Sequence, residues 1–481
     1  MKKQLISVLL LITTLAGMSC GSGSGAADTM DSDSTGTTAP ETEKPFADNL
    51  GEYDFNNADF TLLVRETRVD DLFPESSTGD VVNDALYDRA MKIQERFNVN
   101  IKTVTLPDKG DAWNTALAGD VMSGSGDYDV VMPDYYWGCE TRGYFLDLLT
   151  FDEIDFSKPW WCAGWNDNAE IYGHIYNAVG SLSLDLVKNN MCVFFDSKLI
   201  GDLGLEDPYK LVEEHRWTVD KLREMSDAAL SDLNGDGVYD WENDRIGFGT
   251  GSHFANGLIY ACGVKMITNE NDEYRYTFMN DSFVEKYSKL YKLLRETESV
   301  KYDDCGGTSG MGYGLYPGFR ADRILFLGTA IRTTEDMRDM TGDYGIIPYP
   351  LYDENQKDYI TYNLGTAYMS VLLSAKNPEM SAVMLEALNA ENWKNVIPAY
   401  LDTALKGKYS RDENTAGMID LVNSASYFDF AFVNASTGTA TWVGWNLLNG
   451  DENIASKYES ARVSLDTKLE NLLELYTQNN Q

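Results

Sequence analysis

Apolar positions along the chain change period several times. Phe60-Thr-Leu-Leu-Val-Arg65 is a short β-rich run, after which Val82, Leu86, Ala90, Ile93 and Phe97 recur at helical spacing. A strand over 100–106, a helix over 112–122 and a β-run in Asp127-Tyr-Asp-Val-Val-Met132 follow. Strand, helix, strand, helix, strand predicts a parallel sheet with crossover helices. Ligands of such sheets lie beyond the carboxyl ends of the strands, which places Pro133-Asp134-Tyr135-Tyr136-Trp137 at the mouth of a site.

Farther along, Ser183–Phe195 reads as β-rich. A helix follows Trp217, with Thr218 as its cap and Asp220 in its first turn. Tyr344-Gly-Ile-Ile-Pro-Tyr-Pro350 and 367–374 read as strands, and Asn377-Pro-Glu379 starts another helix. The chain ends on an amphipathic helix with an apolar stripe of Ile454, Tyr458, Ala461, Leu465, Leu469, Leu472 and Tyr476.

The N-terminus reads as an export signal. Lys2 and Lys3 precede an apolar run of about a dozen residues, too short to span a bilayer as a permanent helix. Small residues and Cys20 follow, resembling the lipobox of bacterial lipoproteins, in which that cysteine takes a diacylglycerol and becomes the mature N-terminus. Gly17 stands where the lipobox has an aliphatic residue. Residues 21–50 are Gly/Ser/Thr-rich and acidic, with almost no large side chain to offset their ordering entropy, so they read as a disordered leash.

The formal charge is −37. No cationic surface for a phosphate backbone can be assembled from that balance, which excludes nucleic acid as a partner. Five cysteines follow Cys20, at 139, 162, 192, 262 and 305, with no C-x-x-C pair. Buried free thiols are expected, with a Cys139–Cys162 or Cys262–Cys305 bridge left open. No G-x-S-x-G, H-E-x-x-H or Walker loop occurs, and the three histidines are scattered, so no enzyme is expected.

Several segments resemble one family. KPWWCAGWNDNAEIYGHIYNAVGSLSL, the W-T-x-D-x-L helix start, DLNGDGVYDWENDRIGFG, YGIIPYPLYDENQ and PAYLDTALKGKYSRDENTAGMIDLV look like the family 1 extracellular solute-binding lipoproteins of bacterial ABC importers, the carbohydrate type related to maltodextrin-binding protein. The resemblance implies an α/β, two-lobed periplasmic-binding-protein-like fold of type II, each lobe a sheet flanked by helices, with hinge strands between. Carried onto this chain, 1–20 is the signal peptide and 21–50 the linker. Lobe I is then 51–180, lobe II 181–360, the return to lobe I 361–396, and the completion of lobe II 397–481. It further implies a monomer on the outer face of a cell membrane, anchored through Cys20, that hands a carbohydrate to permease subunits.

Sugar recognition needs aromatic faces for the rings and planar polar groups for the hydroxyls. Both concentrate where the family places its cleft. The ligand-binding candidates are Asp134, Tyr135, Tyr136, Trp137 and Trp165 in the first lobe, and Tyr313, Tyr316, Trp442 and Trp445 in Gly-rich loop sequence of the second. For any one tryptophan, core packing is at least as good a reading. Where maltodextrin-binding protein has an acidic contact within A-V-E-A-L-S-L, this chain has Ala178-Val-Gly180-Ser-Leu-Ser-Leu184. A peptide or polyol ligand, or a glycosidase using two of the 76 acidic residues, stays open beside the sugar reading.

One further motif stands out. Asp232, Asn234, Asp236 and Asp240 occupy calcium-loop positions 1, 3, 5 and 9, with Gly237 at 6 and the Val238 carbonyl at 7. Position 12 is Asn243 rather than glutamate, flanked by Glu242 and Asp244. A structural Ca2+ is the expected cofactor.

Overall fold

The computed structural model describes residues 47–303, 310–401 and 413–478. Cys20, the signal segment, residues 21–46 of the leash and Cys305 lie outside them. The end of the expected leash, 47–50, is instead held on the first lobe: Asp48 is buried and paired with Arg96, and Leu50 packs against the core. The body from Phe46 to Gln481 is one compact unit containing two main sheets.

The first sheet holds four strands. Ala58–Arg65 lies between Val99–Leu106 and Val130–Val131, parallel to both, and Ser370–Val371 closes the far edge antiparallel to Val130–Val131. The helices Val81–Phe97 and Gly110–Ser123 make the predicted crossovers. Asp80 caps the first, accepting from the Val82 and Asn83 amides, and Asn98 ends it in a left-handed conformation.

The second sheet orders five strands as Tyr344–Ile347, Met191–Asp196, Ile324–Ala330, Ile246–Thr250 and Val300–Tyr302. The chain passes from the first sheet to the second near Ala178–Leu184, and returns past Thr361–Tyr362 to Ser370–Val371. The two passages touch: Ala178 bridges Met369 and Asn190 bridges Asn363.

The predicted helix starts have their caps. Thr218 accepts from the Lys221 amide, and Asn377 accepts from the Met380 amide with Pro378 in the first turn. The run over 183–195 is not one strand. Asp185–Lys188 forms a helical turn before the strand Met191–Asp196, because Asp185 and Lys188 turn toward ionic partners rather than a ladder. The last helix, Ile454–Gln478, buries Ile454, Tyr458, Leu465, Leu469, Leu472 and Tyr476, the expected stripe.

Candidate functional site

The carboxyl ends of the first sheet's strands carry charge. Arg65, the last residue of its strand, is buried and pairs with Asp134, which follows the neighbouring strand. Its other terminal nitrogen reaches Asp185 at 2.9 Å. Asp185 also meets Arg68 and Arg332, each at 3.4 Å, and Lys188 bridges Asp71 (2.9 Å) and Glu335 (3.1 Å).

Residues from both lobes are therefore joined in one ionic cluster around the buried Arg65, Asp134, Asp185 and Lys188, with Arg68, Asp71, Arg332 and Glu335 at its partly exposed rim. Burial by itself would raise the Asp185 carboxyl, but Arg68, Arg332, Arg65 and Lys188 hold it below the usual carboxylate range. Burial pushes the Asp134 carboxyl up, against the opposing pull of Arg65. The cluster fills its surroundings, leaving a void of ≈ 10 Å³ among Arg65, Arg68, Asp71 and Asp185.

Aromatic side chains stand beside this floor. Tyr136 is 62% exposed and stands two residues past Asp134, the partner of Arg65; Tyr313 is 44% exposed and packs edge-on to Tyr316, whose hydroxyl meets that of Thr333 beside Arg332. An exposed ring thus accompanies the cationic residue from each lobe. Trp137 is half-buried, tilted against Trp113 at 5.4 Å, and its carbonyl accepts from Asn114.

The other candidates are placed differently. Tyr135 is buried, with its ring 4.4 Å from Phe432 and edge-on to Trp165. Trp165 is fully enclosed among Tyr135, Phe428 and Phe432, and its indole N–H donates to Asn177 at 3.1 Å, so it presents no face to a cleft. Tyr316 is buried too, its hydroxyl 2.8 Å from those of both Thr329 and Thr333. Trp442 and Trp445 lie on a short helix, Trp442–Leu448, rather than in a loop. Trp442 packs at 6.5 Å on Tyr458, while Trp445 is 43% exposed. Among the described residues, no ring contact links either to Tyr136 or Tyr313.

Arg65, Arg68, Asp185, Lys188 and Arg332 were not singled out by sequence. The rule that ligands sit past strand ends pointed to the turn after the third strand and applies equally to Arg65 at the end of the first.

The acidic loop brings together Asp232, Asp236 and Asp244, each able to place one carboxylate oxygen within 4.8 Å of the others. Asp244 is buried and accepts from the Leu233, Asn234 and Asp240 amides. It takes the inward place that the twelve-residue pattern assigns to Asn243. Asp240 accepts from the Glu242 and Asn243 amides, Asn234 donates to Asp236, and the Glu242, Asn243 and Val238 side chains are exposed. Gly235 and Gly237 both have φ +78°, a conformation that a side chain would strain.

Cys139, Cys162, Cys192 and Cys262 are free, so no Cys139–Cys162 bridge forms. No helix among the described residues is long and apolar enough to cross a membrane.

Comparison with known proteins agrees with this architecture. The pattern of the bacterial extracellular solute-binding protein family matches residues 83–391, more than half of the chain. No curated protein matches the sequence. Among solved structures, the chain is similar to the galacto-N-biose/lacto-N-biose I-binding protein of a Bifidobacterium longum ABC transporter, in complex with lacto-N-biose, with 14% identity and a TM-score of 0.58 over 87% of this chain and 98% of that one. It is also similar to the maltose/maltodextrin-binding domain MalE of Bdellovibrio bacteriovorus bound to maltotriose, with 14% identity and a TM-score of 0.55 over 86% and 100%. A third is the ABC substrate-binding protein Lmo0181 of Listeria monocytogenes in complex with cycloalternan, with 14% identity and a TM-score of 0.53 over 88% and 99%.

The fold is thus that of the two-lobed binding proteins. The chain belongs to the bacterial extracellular solute-binding protein family, whose members work outside the cytoplasm.

Proposed function

We propose that this chain is the substrate-binding lipoprotein of an ABC importer and captures a carbohydrate, an oligosaccharide, between its lobes. The observation that carries the reading is the pair of exposed rings, Tyr136 and Tyr313, one from each lobe, at the ionic floor that holds the buried Arg65 and the half-buried Arg332. Aromatic faces stack on sugar rings, while guanidinium and carboxylate groups bind hydroxyls. The similar proteins bound to lacto-N-biose, maltotriose and cycloalternan support the same ligand class.

A ligand touching both lobes stabilises the closed state by its differential contacts, and the closed form delivers it to the permease. No bond in the ligand is broken. A lipid on Cys20 and the leash that follows it, up to about residue 46, keep the protein at the outer face of the cell membrane, where it acts as a monomer. The Asp232, Asp236 and Asp244 carboxylates fit a structural Ca2+, with Asn234, the Val238 carbonyl and Asp240 at the remaining loop positions. The ion would neutralise the three carboxylates and fix the loop.

The test is a thermal-shift and calorimetric screen over mono- and oligosaccharides. A raised melting temperature with unchanged ligand supports the reading. Product formation, or a response only to peptides or polyols, overturns it.

A further inference from the structure

We infer that the C-terminal helix is a strap joining the two lobes, latched to the first lobe at Tyr476, with Glu140 as the titratable group of the latch.

The helix Ile454–Gln478 has 25 residues, about 37 Å of length at 1.5 Å per residue. Its first half belongs to the second lobe. Tyr458 packs edge-on to Phe278 at 5.2 Å, and the Tyr276 hydroxyl donates to the Leu465 carbonyl at 3.2 Å. Its last turns reach the first lobe. Tyr476 is fully buried, with its ring 5.0 Å from that of Tyr176, whose carbonyl accepts from Ser370 in the first sheet. A stiff helix fixed at both ends cannot follow a hinge motion without releasing one of them. The first-lobe end is the weaker, because a groove of ≈ 340 Å³ runs along its seam between Thr141, Ser436, Lys468 and Asn471.

Glu140 lies inside this seam. It is fully buried; Oε2 accepts weakly from the Tyr368 hydroxyl at 3.4 Å, and Oε1 has no hydrogen-bond partner. The Ser436 hydroxyl lies close to the same carboxyl and, with that of Tyr368, opposes the effect of burial. Of the groups facing Glu140, Tyr368 and Tyr476 are neutral and Arg142, on its own turn, is the nearby cation. Asp147 acts on Tyr476, and Lys468 and Glu474 line the groove with opposite charges. Among the described residues no cation is hydrogen-bonded to the carboxyl, and burial pushes it up to about 7 from an ordinary 4.5.

The docked end therefore binds a proton that the released end gives up. A raised carboxyl stabilises docking at low pH, and that stabilisation is lost as pH rises through 7. With these two values, docking weakens about tenfold between about pH 6 and pH 8 and is flat above.

Hydrogen exchange of the full chain, corrected for the intrinsic pH dependence, reads this directly. Amides of 468–477 should lose about tenfold protection from about pH 6 to pH 8, while those of 454–464 stay constant. Glu140→Gln should keep the end docked at both values. Small-angle scattering should show the lobes spreading at the higher pH in the wild type and not in Glu140→Gln. Unchanged protection in the wild type, pH-dependent release in Glu140→Gln, or release without any change in lobe separation each overturns the inference. Tyr476→Phe, which keeps the ring, controls for packing and should titrate like the wild type.

Discussion

Gly180 sits where the first crossing passes between the helix Pro378–Glu391 and the Trp160–Trp161 pair. Its backbone bridges Trp161, and a Cβ there would overlap Asn389 Oδ1 and lie 2.8 Å from the Trp160 carbonyl. That same Asn389 oxygen accepts from the Leu182 amide at 2.8 Å, and the Asn389 carbonyl accepts from the Ser181 hydroxyl at 2.6 Å. Gly180→Ala thus brings two losses together. Overpacking a filled core costs about 1–3 kcal/mol. Pushing the Asn389 side chain aside strands the buried Leu182 amide for about 1–3 kcal/mol more. We expect a destabilisation of roughly 2–6 kcal/mol, read as a lowered denaturant midpoint followed by tryptophan emission. In Gly180→Ala/Asn389→Ala the worst overlap is gone, so the pair should fall short of additivity by at least about 1 kcal/mol. A Gly180→Ala protein within about 0.5 kcal/mol of wild type, or strict additivity of the pair, refutes the reasoning. The packing also explains why no acidic side chain occupies this position: Asn389 already fills the space it would need.

Three further outcomes can be checked. Glu386 accepts from the Trp160 and Trp161 indoles at 3.0 and 2.8 Å, and Glu386→Gln leaves one of them facing an amide donor; a loss of about 1–3 kcal/mol near pH 5 is expected in urea melts. Burial raises the Glu386 carboxyl to about 7, so wild-type stability falls as pH rises from 4.5 to 7 and the gap to the variant narrows. Asp185→Ala leaves Arg65, Arg68 and Arg332 without their shared acceptor and should cost about 3–5 kcal/mol, with Asp185→Glu recovering part. Burial pushes the Cys162 thiol to about 11 and those of Cys139 and Cys262 to about 12, so a thiol reagent should modify none of the three before denaturant is added.

The parallel core of the first lobe was legible because its strands and crossover helices each carry their own periodicity, from Phe60 to Met132. The short helix Asp185–Lys188 was not, since a β-rich composition hides a turn whose cause is ionic contacts with distant residues such as Asp71. Trp165 illustrates a different limit. Its sequence neighbourhood suits a cleft, and only the Asn177 side-chain amide oxygen and the Phe428–Phe432 cage show that both its polar and apolar needs are met inside. Asp244 escaped a fixed twelve-position pattern by one residue. The ionic floor draws on four separate stretches of chain, a coincidence that no local pattern encodes.

The reach of the last helix onto Tyr176 has a temporal side. Tyr176 meets a ring three hundred residues downstream, so the first lobe waits for the end of the chain before that contact closes. Contacts of such separation pay their loop-closure entropy late and slow a chain's arrival at its native state. For a polypeptide that leaves the cytoplasm, a late-forming contact of this kind lengthens the interval in which the chain is still pliable enough to be threaded outward.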